Sequence, residues 1–258
     1  MKKYIDSFVN YRFLLWELVK KGIKLKYRRS YLGILWSLLE PLLTMIVLTI
    51  VFGTILGTRT KEFSVYILCG RLLYNFYSTS TKSSLTSIRR NAAMIKKVYV
   101  PKYLYTLSSI LFNYIIFLIS LIVLVVVAAV LNVRPTKYII QAPVALILVL
   151  MLSIGCSFIL ATLGVFFRDM EYLWSVALML IMYMCAIFYQ PEKLLDSSFC
   201  WLLKLNPLYC IIDIFRAAVF GRGMNMHYFL YALGFSIVTI IVGLYLFIKK
   251  QDEFILQI

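Results

Sequence analysis

The sequence predicts an all-α integral membrane protein: six transmembrane helices, preceded by an N-terminal amphipathic interface helix and carrying an outer re-entrant helix pair. Three observations lead there. Of 258 residues, 62% are hydrophobic and 15% charged, with a mean hydropathy of +0.89, whereas soluble domains run near about 45–50% apolar and about 25% charged. Several apolar runs reach the roughly 20 residues that a helix needs to cross a hydrocarbon core of about 30 Å. The 27 Lys and Arg against 11 Asp and Glu give a net charge of +16, and they fall between those runs. A nucleic-acid binder would carry such an excess on a soluble fold, so that class is set aside.

Taken in order, the candidate spans are residues 34–56, 63–81, 103–131, 142–167, 172–189 and 228–248. The second is the weakest, because Arg71, Asn75, Ser78, Thr79 and Ser80 interrupt it. A further apolar stretch, 194–220, is broken by Asn206-Pro207 into two pieces, each too short to cross. Irregular backbone at membrane depth requires protein or a cavity around it, so these pieces read as two short helices entering and leaving the outer leaflet.

Orientation follows from the connections. With the N-terminus inside, eighteen Lys and Arg lie on the cytoplasmic side and eight outside, with Arg71 within the second span. The positive-inside rule then places both termini in the cytoplasm. Residues 1–33 form the interface helix: Tyr4, Phe8, Tyr11, Leu15, Leu18, Gly22 and Leu25 recur at spacings of four and three, and Lys20, Lys21, Lys24 and Arg28 project elsewhere. The apolar stripe suits the acyl boundary and the cations suit anionic head groups; a solvated charged leader is the other reading. No apolar core follows Met1-Lys2-Lys3, so a cleavable signal peptide is not expected.

Enzymatic signals are sparse. His227 is the single histidine, no carboxylate pair sits at helical spacing inside a span, and the scattered Cys69, Cys156, Cys185, Cys200 and Cys210 form no metal or disulfide pattern. No Gly-Lys dipeptide occurs, so the phosphate-cradling loop of nucleotide hydrolases is missing. The chain therefore reads as a non-enzyme that binds no cofactor of its own. Ionisable groups at membrane depth are costly and are functional candidates. Glu40, two turns into the first span, precedes the helix-bending Pro41; it either faces a polar cavity or pairs with a cation of the leader. Arg71 is open between an ion pair, a pathway lining and a late-starting span.

Weaker signals complete the survey. Gly53 and Gly57 form a GxxxG, a spacing that arises often by chance in apolar helices. Trp36, Tyr66, Tyr172, Trp174, Tyr189 and Tyr228 fall near span ends, where an aromatic belt is expected, although sugars stack on such rings too. The basic connection after the second span contains Asn91-Ala-Ala-Met-Ile-Lys-Lys-Val-Tyr-Val-Pro101. That stretch could form a short surface helix for a cytoplasmic partner, or a solvated positive-inside loop.

The residues Tyr27-Arg-Arg-Ser-Tyr-Leu-Gly-Ile-Leu-Trp-Ser-Leu-Leu-Glu-Pro-Leu-Leu43 resemble the opening signature of the ABC-2 type permeases that export cell-surface polysaccharides, the teichoic-acid translocation and O-antigen export permeases. The similarity continues through Asn91 to Pro101, Gly164-Val-Phe-Phe-Arg-Asp-Met170, Leu205-Asn-Pro-Leu208 and Lys249-Lys-Gln-Asp-Glu-Phe-Ile-Leu256. The resemblance implies a six-span domain over 34–258, a coupling segment at 86–103 and an outer re-entrant segment at 191–223. It also implies a homodimeric channel in the bacterial cytoplasmic membrane, joined to two copies of a separate ATP-binding subunit that holds ATP and magnesium. The coupling segment, with Asn91, Ile95, Lys96, Lys97, Val98 and Pro101, would dock on that subunit. The cargo would be polysaccharide on undecaprenyl diphosphate, its head group met by Lys24, Arg28 and Arg29. Arg and Lys suit that role because charge-assisted contacts to phosphate are strong. Trp36, Glu40, Arg71, Tyr189, Asn206 and Pro207 are pathway or gate candidates. The Lys249-Lys-Gln-Asp end and the Ile/Lys-rich composition favour teichoic acid or another wall polysaccharide. Competing readings are an ABC-2 permease for another lipid or hydrophobic substrate, a membrane enzyme acting on lipid-linked sugars, and a passive channel.

Overall fold

Helices account for all the regular structure among the described residues of the computed structural model, which are 11–28, 30–55, 61–98, 100–133, 136–189 and 200–257. In chain order they are α1 (Arg12–Tyr27), α2 (Trp36–Ile55), α3 (Lys61–Arg90), α4 (Ala92–Ile95), α5 (Tyr103–Val130), α6 (Ala142–Phe166), α7 (Met170–Met184), α8 (Cys200–Lys204), α9 (Pro207–Val219), α10 (Met226–Lys250) and α11 (Phe254–Gln257). Short 3-10 turns at Gly33–Leu35 and Lys137–Gln141 lead into α2 and α6.

Among the described residues, four segments are long and apolar enough to cross a membrane: Gly33–Gly53, Tyr103–Val130, Lys137–Phe166 and Met226–Lys250. The other two expected spans differ, each for a physical reason. The helix expected at 63–81 runs for 30 residues as α3, long enough to cross but too polar to register by hydropathy. The one expected at 172–189 is the 15-residue α7, only about 22 Å long at 1.5 Å per residue. It stops at Cys185, and Ala186 enters the left-handed region at φ 47°.

The polar α3 is the centre of the bundle, packed against α2, α5, α6, α7 and α9. Val65, Ile67, Leu68, Cys69, Leu72 and Leu73 are buried there. Its hydroxyls largely satisfy themselves by back-bonding within the helix: Thr79 to the Asn75 carbonyl at 2.7 Å, Thr81 to Tyr77 at 2.8 Å and Ser87 to Ser84 at 2.7 Å. Others cross to α5, where Ser109 Oγ and Asn113 Nδ2 donate to Ser83 Oγ at 2.8 and 2.9 Å. A helix enclosed by protein needs no lipid-facing apolar surface, which is why its hydropathy is low.

Small residues set the approach of α6 to its neighbours. A Cβ at Gly164 would lie 2.3 Å from the Leu85 carbonyl oxygen of α3, and one at Gly155 would lie 2.6 Å from the backbone of Thr239 in α10. Two cores result. The larger spans the middle and far end of the bundle. The smaller, at the end that carries α1, joins Leu15, Ile88, Ile95, Val100, Leu104, Phe158, Phe247 and Phe254.

The leader's apolar stripe meets protein rather than the acyl boundary along part of its length. Leu15 and Val19 are buried, and Gly22 sits against the Phe112 ring of α5. Leu25 is exposed, as are Phe13 and Trp16 on another face. Tyr4, Phe8 and the rest of the first ten residues lie outside the described residues, as do Arg29, Gly57 of the GxxxG and residues 191–199 of the expected re-entrant segment.

Candidate functional site

At the leader end, a shallow cleft open to solvent lies between the end of α1 and helices α2, α3 and α5. Its formation begins at Pro41, which has no N–H to give the Ser37 carbonyl one turn back. Ser120 of α5 reaches that carbonyl, its Oγ lying 2.9 Å from the Ser37 oxygen and 2.9 Å from the Ile116 oxygen of its own helix, so one proton is shared between the two. The Ser37 hydroxyl is used locally, donating to the Ile34 carbonyl at 2.7 Å. The proline therefore binds the start of α2 to α5, and Glu40 beside it lines the cleft. The remaining polar walls are Lys26 and Tyr27 from α1, Asn75 and Thr79 from α3, and Asn113 from α5.

Of its two readings, Glu40 shows the polar cavity and, among the described residues, not the ion pair. It faces a polar cleft, and Lys26 shares that cleft, but no ion pair joins Glu40 to a cation among the described residues. Burial pushes the Lys26 ammonium below its ordinary range, and the Glu40 carboxylate acts in the opposite direction. Burial raises the Tyr27 hydroxyl, with the hydrogen bond to Ser37 opposing. One cation and one anion thus face a shared, partly hydrated space without touching.

The other candidates do not converge there. Lys24 and Arg28 are exposed on or just beyond α1, and Trp36 is 45% exposed at the start of α2. Arg71 lies on the α3 face toward α7, its Nη1 donating to Met182 Sδ at 3.5 Å and its guanidinium 5.9 Å from the Tyr74 ring. In the connection, Asn91 donates to the Ser87 carbonyl at 2.8 Å. Ile95 is buried, Lys96, Lys97 and Val98 are exposed, and Pro101 is half-buried. Ile95 therefore seats α4 on the smaller core, and the surface on offer is formed by the three residues that follow it.

Asn206 and Pro207 start α9. The Asn206 Oδ1 accepts from the Leu208 N–H at 3.0 Å, its Nδ2 donates to Cys185 Sγ at 3.3 Å, and the proline occupies the first turn, where no N–H is needed. Tyr189 donates to the Tyr183 carbonyl at 2.8 Å. Tyr66, expected in the aromatic belt, is buried, and its hydroxyl donates to the carbonyls of Ala186 at 3.2 Å and Tyr189 at 3.1 Å. It thereby satisfies the backbone where α7 breaks off.

Sequence reasoning missed Arg216. It is 1% exposed, its guanidinium carbon lies 3.4 Å from the centre of the Tyr66 ring, and Nε and Nη2 donate to the Tyr66 carbonyl at 3.3 and 3.2 Å. An arginine in the apolar run after Pro207, three residues beyond Asp213, is the signal that the sequence offers, in a run that reads as one of two short outer-leaflet helices.

Among the described residues, four membrane-length apolar helices around a polar central helix, with a charged cleft at one end, define an integral membrane protein. The chain matches the ABC-2 type transporter family over residues 14–220 and belongs to that family. It is 29% identical over 242 residues to an O-antigen export system permease protein RfbA of Klebsiella pneumoniae, covering 93% of both chains. A Myxococcus xanthus protein of the same description is 27% identical over 256 residues, covering 98% of both. The polysialic acid transport protein KpsM of Escherichia coli is 22% identical over 240 residues, covering 90% of this chain and 91% of that one.

Proposed function

We propose that this chain is the membrane subunit of an ATP-driven exporter of cell-surface polysaccharide. The observation that carries the reading is near-complete coverage in both directions, without a large insertion or loss, of relatives named as permeases or transport proteins for such polymers. The chain would act as a homodimer in the bacterial cytoplasmic membrane, joined to two copies of an ABC ATP-binding subunit, with both termini inside. In this arrangement α3 and α7 complete a set of six membrane-inserted helices, and α8 with α9 forms the outer re-entrant pair, supported by the Asn206 cap and the buried Arg216. The exposed Lys96, Lys97 and Val98 would meet the ATP-binding subunit, and Lys24, Arg28 and Arg29 would meet the diphosphate of an undecaprenyl-linked chain. ATP binding and release would bias closed and open channels through differential affinity.

The C-terminal sequence favours teichoic acid or another wall polysaccharide, and the named relatives favour O-antigen or an acidic capsular polymer. Depleting the chain in its own host tests the reading. Surface polymer should fall while the same repeat unit accumulates inside on its lipid carrier. Analysis of that repeat unit names the cargo, and unchanged surface polymer overturns the assignment.

A further inference from the structure

The cleft at Glu40 has a feature that polymer export does not require. It presents one ammonium and one carboxylate, Lys26 and Glu40, that share a space without pairing, and its remaining polar walls are neutral. Both groups are exposed, Lys26 with its Nζ 5.8 Å from the neighbouring Tyr27 ring, so each can take a partner from outside the chain. The ligand that answers this pattern is electrically neutral overall and carries both signs. A diphosphate would be drawn to Lys26 but repelled by Glu40.

What lies beyond Glu40 adds a second constraint. Glu40, Leu43 and Val47 recur at i, i+3 and i+7, so they share one face of α2. Leu43 is 50% and Val47 58% exposed. A polar head at Glu40 is therefore followed by an open apolar track about 10 Å long at 1.5 Å per residue, where an acyl chain leaving the head group would run. The cleft also adjoins the end of the amphipathic leader, the depth at which phospholipid head groups reside.

We propose that this cleft binds the head group of a zwitterionic phospholipid, phosphatidylethanolamine, with phosphate at Lys26 and the primary ammonium at Glu40 and the side-chain amide oxygen of Asn75. One acyl chain lies along Leu43 and Val47. The site ties the leader to the Pro41 break of α2 through a bilayer lipid, and it stands whether or not the exported polymer is the one named above.

The test uses the full-length protein in detergent with short-chain lipids, read by native mass spectrometry. The wild-type protein should bind dioctanoyl phosphatidylethanolamine about ten-fold more tightly than either dioctanoyl phosphatidylglycerol, which lacks the cation, or dioctanoyl phosphatidylcholine, whose methylated nitrogen has no N–H to donate. Glu40→Gln should bring phosphatidylethanolamine down to the level of phosphatidylglycerol, and Lys26→Gln should weaken both. Equal wild-type affinity for the three lipids overturns the site without any variant, as it would if a second copy of the chain covered the track. A preference that survives Glu40→Gln also overturns it. So does displacement of phosphatidylethanolamine by undecaprenyl diphosphate at lower concentration, which would give the cleft to an anionic carrier lipid instead.

Discussion

The close approach of α6 to α10 can be tested by making one chemical change at two glycines of the same helix. A Cβ at Gly243 would stand 2.6 Å from the Gly155 carbonyl oxygen, whereas Gly234 has nothing within 4 Å of the same position. Carbon and carbonyl oxygen normally meet at about 3.3 Å or more, so Gly243→Ala overlaps by about 0.7 Å. A helix carbonyl cannot swing aside, and parting the helices by that distance forfeits about a quarter to a half of each contact's dispersion energy. Overpacking of this kind costs about 3 kcal/mol, offset by about 1 kcal/mol from alanine's better helix propensity, for a net loss near 2 kcal/mol. Gly234→Ala keeps only the gain. In thermal unfolding of the detergent-purified protein, followed by tryptophan fluorescence, Gly243→Ala should lower the midpoint by about 4–8 °C. Gly234→Ala should leave it unchanged or raise it. If both variants move together, close backbone packing is not what holds α6 against α10.

Three further outcomes follow, two at buried positions and one at an exposed one. Arg216→Lys keeps the charge but loses the flat guanidinium over Tyr66 and its two-nitrogen contact with the Tyr66 carbonyl; hydrogen exchange should rise across α9, by at least about ten-fold if about 1.5–3 kcal/mol is lost. Unchanged protection there would mean the stack does not anchor α9. In the connection, Ile95→Asp should reduce the yield of folded protein, because it places a charge in the smaller core, whereas Val98→Asp should fold normally yet abolish co-purification with the ATP-binding subunit. Retained co-purification of the Val98 variant would move the docking surface elsewhere.

Hydropathy made α2, α5, α6 and α10 legible because each turns apolar side chains toward the outside of the bundle, as Val125, Ile147 and Val238 do. It under-read α3 for the converse reason. Thr79, Thr81 and Ser87 look unfavourable in a list of residues but bond their own helix, and no one-dimensional scale records that. The expected length of α7 failed differently: the apolar run does continue to Tyr189, but the helix ends at Cys185 because Tyr66 and Asn206, distant in sequence, provide partners for the chain beyond it. Glu40-Pro41 was readable as a site because both residues break the pattern of their own span. Lys26 was not, since in the sequence it is one leader cation among several and only the fold brings it to Glu40.

The central position of α3 has a mechanical consequence. Its 30 residues form one helix without an internal proline, about 45 Å long at 1.5 Å per residue. One end holds Tyr66, on which Arg216 and the end of α7 rest. The other passes through Arg89, paired with Glu171 of α7, directly into Asn91 and α4. A force applied to the exposed residues after α4 therefore acts on a continuous rod. Bending that rod would break back-bonded turns and open the Leu85–Gly164 contact with α6, so small displacements are transmitted along it instead. If the ATP-binding subunit docks at Lys96 to Val98, the element it moves is the same one that positions α9 at the far end. The polar helix that hydropathy nearly discards is then the physical link between the two ends of the exporter.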